Sequence, residues 1–296
     1  MKQLGLHRVD GRSYWFAAYF NSFDRELMIR YAGQARADRF QETFGGQLPF
    51  ADARIVKVYD DDRTAARQFA DTFGVEAVES PDEFAEGLDG VIVPFPSGGE
   101  RRDYEVTAPL ARRCIPLFLD RIILEQSDRL RQLMKESPAP LHVTCFMRYF
   151  ADLMLPERIA QAETVIATAH GEPVGYGADL LDLVDELMRG EPVSVLNSGD
   201  DKADIARIRY ADGRYAILQL FREGNPPMTV SAFGDGWQKT LPIDGSQFHY
   251  GAFRQFQAFL RSTETREPAV PYAHVLGNAA VLHAIERREF GREIAV

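Results

Sequence analysis

Ile115-Pro116-Leu117-Phe118-Leu119-Asp120-Arg121-Ile122 is the stretch on which the fold turns: an apolar run that ends abruptly in the charges of Asp120 and Arg121. A short apolar run closed by charges reads as a buried strand whose carboxyl end opens on something polar. In open α/β sheets, ligands sit at that end of the strands. Segments of the same kind precede it. Arg54 to Tyr59 carries Ile55, Val56 and Val58 and runs into Asp60-Asp61-Asp62, and Gly90 to Val93 runs into the loop from Pro94 to Gly99, which includes Pro96. Helical spacing separates these runs, with Ala66, Phe69, Ala70 and Phe73 before Gly74, a Ser80-Pro81-Asp82-Glu83 capping box, and a helix from Tyr104 to Arg113. A helix from Ser127 to Lys135 and a strand from Leu141 to Phe146 complete the series. Strands and helices alternating at this spacing predict an α/β fold with a parallel, doubly wound sheet.

The chain of 296 residues is long enough for two domains, and 45% hydrophobic with 26% charged residues is ordinary globular composition. Against 44 acidic residues stand 34 basic ones, a net charge of -10 that disfavours nucleic acid and anionic membranes as partners. No apolar segment approaches the ~20 residues of a membrane helix, and the start lacks a signal-peptide core, so a cytoplasmic protein is expected. Cys114 and Cys145 read as small buried hydrophobes. His7, His142, His249, His274 and His283 show no metal-site spacing, and no metal is expected.

A first strand from Gln3 to Val9 leads into Asp10-Gly11-Arg12-Ser13 and an aromatic-rich helix. A first βα turn of this kind is where a dinucleotide pyrophosphate binds, on backbone amides with Arg12 adding positive potential. The glycine fingerprint is incomplete and Asp10 brings a negative charge, so an ordinary β-turn is the alternative. Phe23 to Phe50 is a charge-rich helical piece, longer than a βαβ connection needs. Asp60, at the end of the second strand, is placed to accept hydrogen bonds from ribose hydroxyls and to repel a 2′-phosphate, which favours NAD over NADP. In the second half, Leu180, Leu183, Val184 and Leu187 form the buried stripe of a helix, and Asp182, Asp185 and Glu186 read as its solvated side. Alternation from Ile205 to Tyr210 and from Tyr215 to Phe221 predicts a sheet with one wet face.

The order of Asp60, the helix Thr64 to Phe73, Asp89 to Val93, Pro96, Ile115 to Arg121 and Phe146-Met147-Arg148-Tyr149 resembles the glucose-fructose oxidoreductase, inositol dehydrogenase and MocA-like (Gfo/Idh/MocA) family. The resemblance continues through Gly190 to Val195, Ile208 to Gly213, Phe256 to Arg261 and Gly291-Arg292-Glu293. It implies a Rossmann-like dinucleotide-binding domain over 1–147 and an α+β domain over 148–296 with an open, mostly antiparallel sheet that forms homodimers or higher oligomers. It further implies an NAD(P) cofactor held by Asp10, Gly11, Arg12, Ser13, Asp60, Pro96, Asp120 and Arg121, and a carbohydrate-like substrate oxidised at a hydroxyl.

Such chemistry needs an acid/base for the alcohol proton. The family's lysine aligns with Arg121, and its Asp and His, four residues apart on one helix face, align with Gly175 and Asp179. Arginine, with a pKa above ~12, shuttles protons poorly near neutrality. Two readings follow. One is a divergent NAD(P)-dependent oxidoreductase using Arg121, Asp179 and Tyr176 for catalysis and Arg148, His170 and Tyr176 for substrate. The other is a non-catalytic dinucleotide or ligand sensor on the same fold.

Overall fold

Short apolar runs bounded by turn residues pair side by side into two sheets, each within its own unit of the chain. The computed structural model describes residues 1–45, 48–94, 107–120, 127–155 and 161–296. Its contacts divide the chain into one unit of Met1–Asp120, Gln132–His142 and Phe259–Ala269, and a second of Arg121–Arg131, Val143–Ala258 and Val270–Val296.

The first unit is built on β1 (Lys2–His7), β2 (Ala53–Tyr59), β3 (Glu76–Ala77), β4 (Gly90–Val93), β5 (Leu117–Leu119) and β6 (Leu141–Val143), in the order β3-β2-β1-β4-β5-β6. β1 runs parallel to β2 on one side and to β4 on the other. The chain order therefore reverses direction across the sheet beside β1, the place where such sheets open for a ligand. β1 is buried on both faces, with Leu4 and Leu6 on one and Gly5 and His7 on the other, and β4 and β5 are apolar throughout, as strands covered by helices must be. Leu6 pairs with Val58 and Ile92, which sets the register. Between the strands lie α1 (Gly11–Ala17), α2 (Arg25–Ala32), α3 (Gln34–Phe44), α4 (Arg63–Phe73), α5 (Pro81–Ala85), the helical residues 107–111 as α6, and α7 (Ser127–Glu136). The charge-rich piece after Phe23 forms α2 and α3, tied by the Arg25–Asp38 ion pair at 2.6 Å and by the buried Met28, Ala37, Phe40 and Phe44. Asp62 caps α4 by accepting from the amides of Thr64 and Ala65, and Gly74 ends it with a left-handed φ of 63°.

In the second unit, β7 (Thr164–His170), β8 (Pro192–Asn197), β9 (Ala203–Tyr210), β10 (Tyr215–Phe221), β11 (Thr229–Gly234), β12 (Trp237–Pro242) and β13 (Glu293–Ala295) form a sheet in the order β12-β11-β7-β10-β9-β8-β13. Neighbours are antiparallel except β7 and β10. Ala216, Leu218 and Leu220 of β10 are buried while Tyr215, Ile217 and Gln219 alternate on the wetter face. α8 (Ala151–Met154), α9 (Ala178–Met188), α10 (Phe248–Thr265) and α11 (Tyr272–Glu286) complete the chain, with α9 packed on β7 and β10, and α11 on β8 and β9.

Two expectations change. The strand from Leu141 ends at Val143, because the backbone turns into a 3₁₀ turn over Phe146–Phe150 and carries Phe146, Met147, Arg148 and Phe150 into the core. Cys145 is buried as expected, but Cys114 is exposed and sits at φ 61°, outside the hydrophobic interior.

The 3₁₀ turn lies close against α10. A Cβ on Gly251 would stand 2.5 Å from the Phe146 carbonyl oxygen and 2.7 Å from the Phe150 ring. Gly251→Ala is therefore expected to lower stability by about 1–3 kcal/mol, because backbone rather than a flexible side chain must yield. The midpoint of urea unfolding measures this, and an unchanged midpoint would refute the close packing.

Candidate functional site

β1 ends at His7, and Arg8 takes a left-handed φ of 77°. Positions 8, 10 and 13 after this strand have the spacing of the three glycines in a dinucleotide fingerprint, whose jobs are the tight turn, the close approach of the pyrophosphate, and helix–strand packing. Arg8, Asp10 and Ser13 stand there instead. Asp10 is the N-cap of α1: its Oδ1 accepts from the amides of Arg12 at 2.8 Å and Ser13 at 2.9 Å, and its own amide donates to Ser13 Oγ at 2.9 Å. Ser13 Oγ in turn donates to the Arg8 carbonyl at 2.9 Å, locking a turn in which Ser13 is fully buried. Arg12 Nη1 forms an ion pair with the buried carboxylate of Asp120. The turn is thus a reciprocal capping box, with the Asp10 carboxylate on two of the amides at the start of α1.

Asp60 lies beside this turn. Its Oδ2 accepts from the Val9 amide at 2.6 Å and its Oδ1 from the Asp62 amide at 2.8 Å, leaving a second lone pair on each oxygen. A cavity of about 180 Å³ is lined by His7, Arg8, Val9, Asp60, Asp61, Asp62 and Ala65. Burial pushes the His7 pKa down to about 4, so its imidazole is neutral at physiological pH.

In the second unit, a π turn over Pro173–Gly177 precedes α9. Gly175 has φ 143° and ψ -119°, a conformation closed to L side chains at ordinary cost. Tyr176 is exposed, and its ring meets His170 edge-on with centroids 4.9 Å apart. Asp179, in the first turn of α9, is 1% exposed, and its carbonyl accepts from the Cys145 thiol. The structure brings His170 and Tyr176 together and sets Asp179 in the helix turn that follows them. Pro96 and Arg121 lie outside the described residues.

Arg148 is placed differently from its expected substrate-binding position. Its guanidinium is buried, with Nη1 on Asp182 Oδ1 at 2.9 Å and on Asp185 Oδ2 at 2.7 Å, and Nη2 on Glu186. Asp182 also accepts from the amide of Cys145 at 2.7 Å, and Asp185 Oδ1 meets His274 Nδ1 at 2.9 Å. Asp182 and Asp185 are therefore not the solvated side of α9; both are buried because Arg148 supplies the opposite charge there. Burial raises the Asp182 carboxyl pKa, whereas for Asp185 the hydrogen bond from His274 and the field of Arg148 outweigh burial and lower it. The hydrogen bond to Asp185 raises the His274 pKa.

For the nicotinamide cofactor that the fold implies, the fit is divided. Asp60 has acceptor capacity for a ribose diol, but the pyrophosphate position is filled by Asp10 and the nearby guanidinium of Arg12 is neutralised by Asp120. A dinucleotide does not fit this turn as it stands. Among the described residues no group of three His, Cys, Asp or Glu is placed to hold a metal ion. No described helix is long and apolar enough to cross a membrane. Sequence reasoning passed over Arg8 and His274. The spacing 8, 10, 13 was available to find the first, whereas His274 meets Asp185 across 89 residues of chain and carries no local signal.

Two outcomes are expected from the buried charges. Arg148→Ala should cost about 3–5 kcal/mol in urea unfolding, since it strands carboxylates without their cation, and a loss under about 1 kcal/mol would refute the network's role. Because the folded His274 pKa is raised above 6.5, its contribution is complete below that value and disappears as pH climbs through the folded one. The stability gap between the wild-type chain and His274→Ala should then be widest below about pH 6.5 and narrow as pH rises above it, and a gap that does not change with pH would overturn the assignment.

Residues 30–145 match the family model of GFO/IDH/MocA, the oxidoreductase family with NAD-binding Rossmann fold. No curated protein matches by sequence. In three dimensions the chain is similar to a myo-inositol dehydrogenase from Corynebacterium glutamicum, at 14% identity, TM-score 0.72, covering 100% of this chain and 99% of that one. It is also similar to GenD2 of gentamicin A biosynthesis, solved in complex with NAD, at 12% identity, TM-score 0.74, with 100% and 97% covered. A third is the myo-inositol dehydrogenase from Lactobacillus casei in complex with NAD(H) and myo-inositol, at 14% identity, TM-score 0.66, with 100% and 97% covered. Over residues 30–145 the sequence matches the Gfo/Idh/MocA family model, and over its whole length the chain shares the fold of these dehydrogenases.

Proposed function

We propose that the protein binds a carbohydrate-like small molecule on an oxidoreductase fold without performing NAD-linked hydride transfer. The observation that carries this reading is the Asp10 carboxylate on the amides of Arg12 and Ser13. A second carboxylate-like anion brought to the same amides would meet both an occupied donor set and a like charge. The proton chemistry points the same way. Gly175 has no side chain and a backbone conformation unfavourable to one, and Asp179 is buried where the family has its histidine. Loss of a general acid/base typically costs ~10²- to 10⁴-fold in rate.

The ligand class rests on the fold's likeness to the Lactobacillus casei enzyme solved with myo-inositol, and on the His170–Tyr176 pair, whose exposed ring and polar tips suit a hydroxyl-rich face. The same reading keeps a Rossmann-like domain over 1–147, an α+β domain over 148–296, homo-oligomers through the seven-stranded sheet, and a cytoplasmic location.

The geometry of Asp60 favours a second reading, an oxidoreductase that takes NAD rather than NADP and moves its proton through Asp179 or Tyr176 with Arg121 as electrophile.

Titration with NADH and NADPH by fluorescence, together with assay of myo-inositol and other polyols with NAD, separates the two. The first reading expects no saturable dinucleotide binding below ~1 mM and no turnover, while an ordinary turnover of ~10 per second would replace it with the second.

A further inference from the structure

On the second unit, away from Gly175 and Asp179 in the chain, α11 leaves a cavity of about 540 Å³ against the end of α9. That volume lies in the ~300–1,000 Å³ range of small-molecule sites. Its apolar floor includes Leu276, Gly277 and Ala280 of α11, and its rim carries the side chains of Arg131, Arg189 and His274, with Glu191 and Val296 also lining it.

The rim is held in place from behind. Arg189 sits at the end of α9 in a left-handed conformation, φ 45°, with its Nε on Glu186 Oε1 at 2.9 Å. Glu186 is in turn paired with the buried Arg148, as is Asp185, which fixes the His274 ring. Both side chains are thus oriented before any ligand arrives, which reduces the entropy lost on binding. Arg189 retains N–H donors that Glu186 does not use, and Arg131 has no hydrogen bond or ion pair among the described residues.

We propose that this cavity is a binding site for a small organic carboxylate with an apolar body, its anionic end on Arg131, Arg189 and His274 and its apolar end on Leu276, Gly277 and Ala280. Guanidinium pairs match a carboxylate in shape as well as charge; an alcohol of the same chain length brings no charge to them, and an amine brings a like charge to Arg131 and Arg189. The site is separate from the carbohydrate reading and stands or falls without it.

Calorimetric titration of the full chain with octanoate tests the site, with octanol and octylamine as controls. Octanoate is expected to bind saturably and roughly tenfold or more tightly than either control. Arg131→Glu, an exposed substitution, should weaken octanoate by roughly tenfold while leaving octanol unchanged. Ala280→Trp, which fills the floor on a half-exposed helix face, should abolish binding of octanoate with urea unfolding unaltered. Absence of octanoate binding, equal binding of all three probes, or indifference to both substitutions would overturn the proposal.

Discussion

The buried guanidinium of Arg148 is the constraint that the second unit is arranged around. A cation removed from water is costly unless opposite charge surrounds it, and here Asp182, Asp185 and Glu186 come from successive positions on one face of α9. Because the 3₁₀ turn brings Arg148 to that face, the acidic side of the helix is buried along with its apolar side. His274 ties α11 into the same group through Asp185. Three elements are thereby fixed by one charge, and the rim of the α11 cavity inherits their order.

In the first unit the corresponding control lies in a turn of six residues. Fingerprint glycines leave helix amides bare so that a ligand's phosphate can complete them. The turn from Arg8 to Ser13 completes itself. Asp10 supplies the acceptor, Ser13 returns the bond, and Arg8 accepts from Ser13 while tolerating the positive φ that a glycine would have relieved. The result is a stable βα junction whose first helix amides are capped by an internal carboxylate. Asp60 keeps its place at the end of β2 with both oxygens engaged by backbone amides, an arrangement that orients the side chain whether or not a ribose is present.

The fold was largely legible in the residues. Ile55 with Val58, Val91 with Val93, and Leu117 with Leu119 announced strands because a strand buried on both faces has no polar alternation to disguise it. Asp62 and Gly74 marked the ends of α4, since capping depends on neighbours in the chain. Helical spacing located α9 as well, but it misjudged which side was wet. Asp182 and Asp185 look solvated to any rule that reads one helix alone, because their partner Arg148 lies more than thirty residues away.

What the sequence by itself determined is therefore the set of local decisions: a parallel sheet followed by a mostly antiparallel one, the caps, the breaks, and the positions of the charges along the chain. Only the tertiary structure decided what those charges do. Whether Asp10 repels a phosphate or takes its place depends on the direction of two amides, and whether Arg148 meets substrate or structure depends on where α9 packs. Electrostatic roles are set by distance and solvent exposure, and for groups far apart in the chain neither quantity exists until the chain has folded.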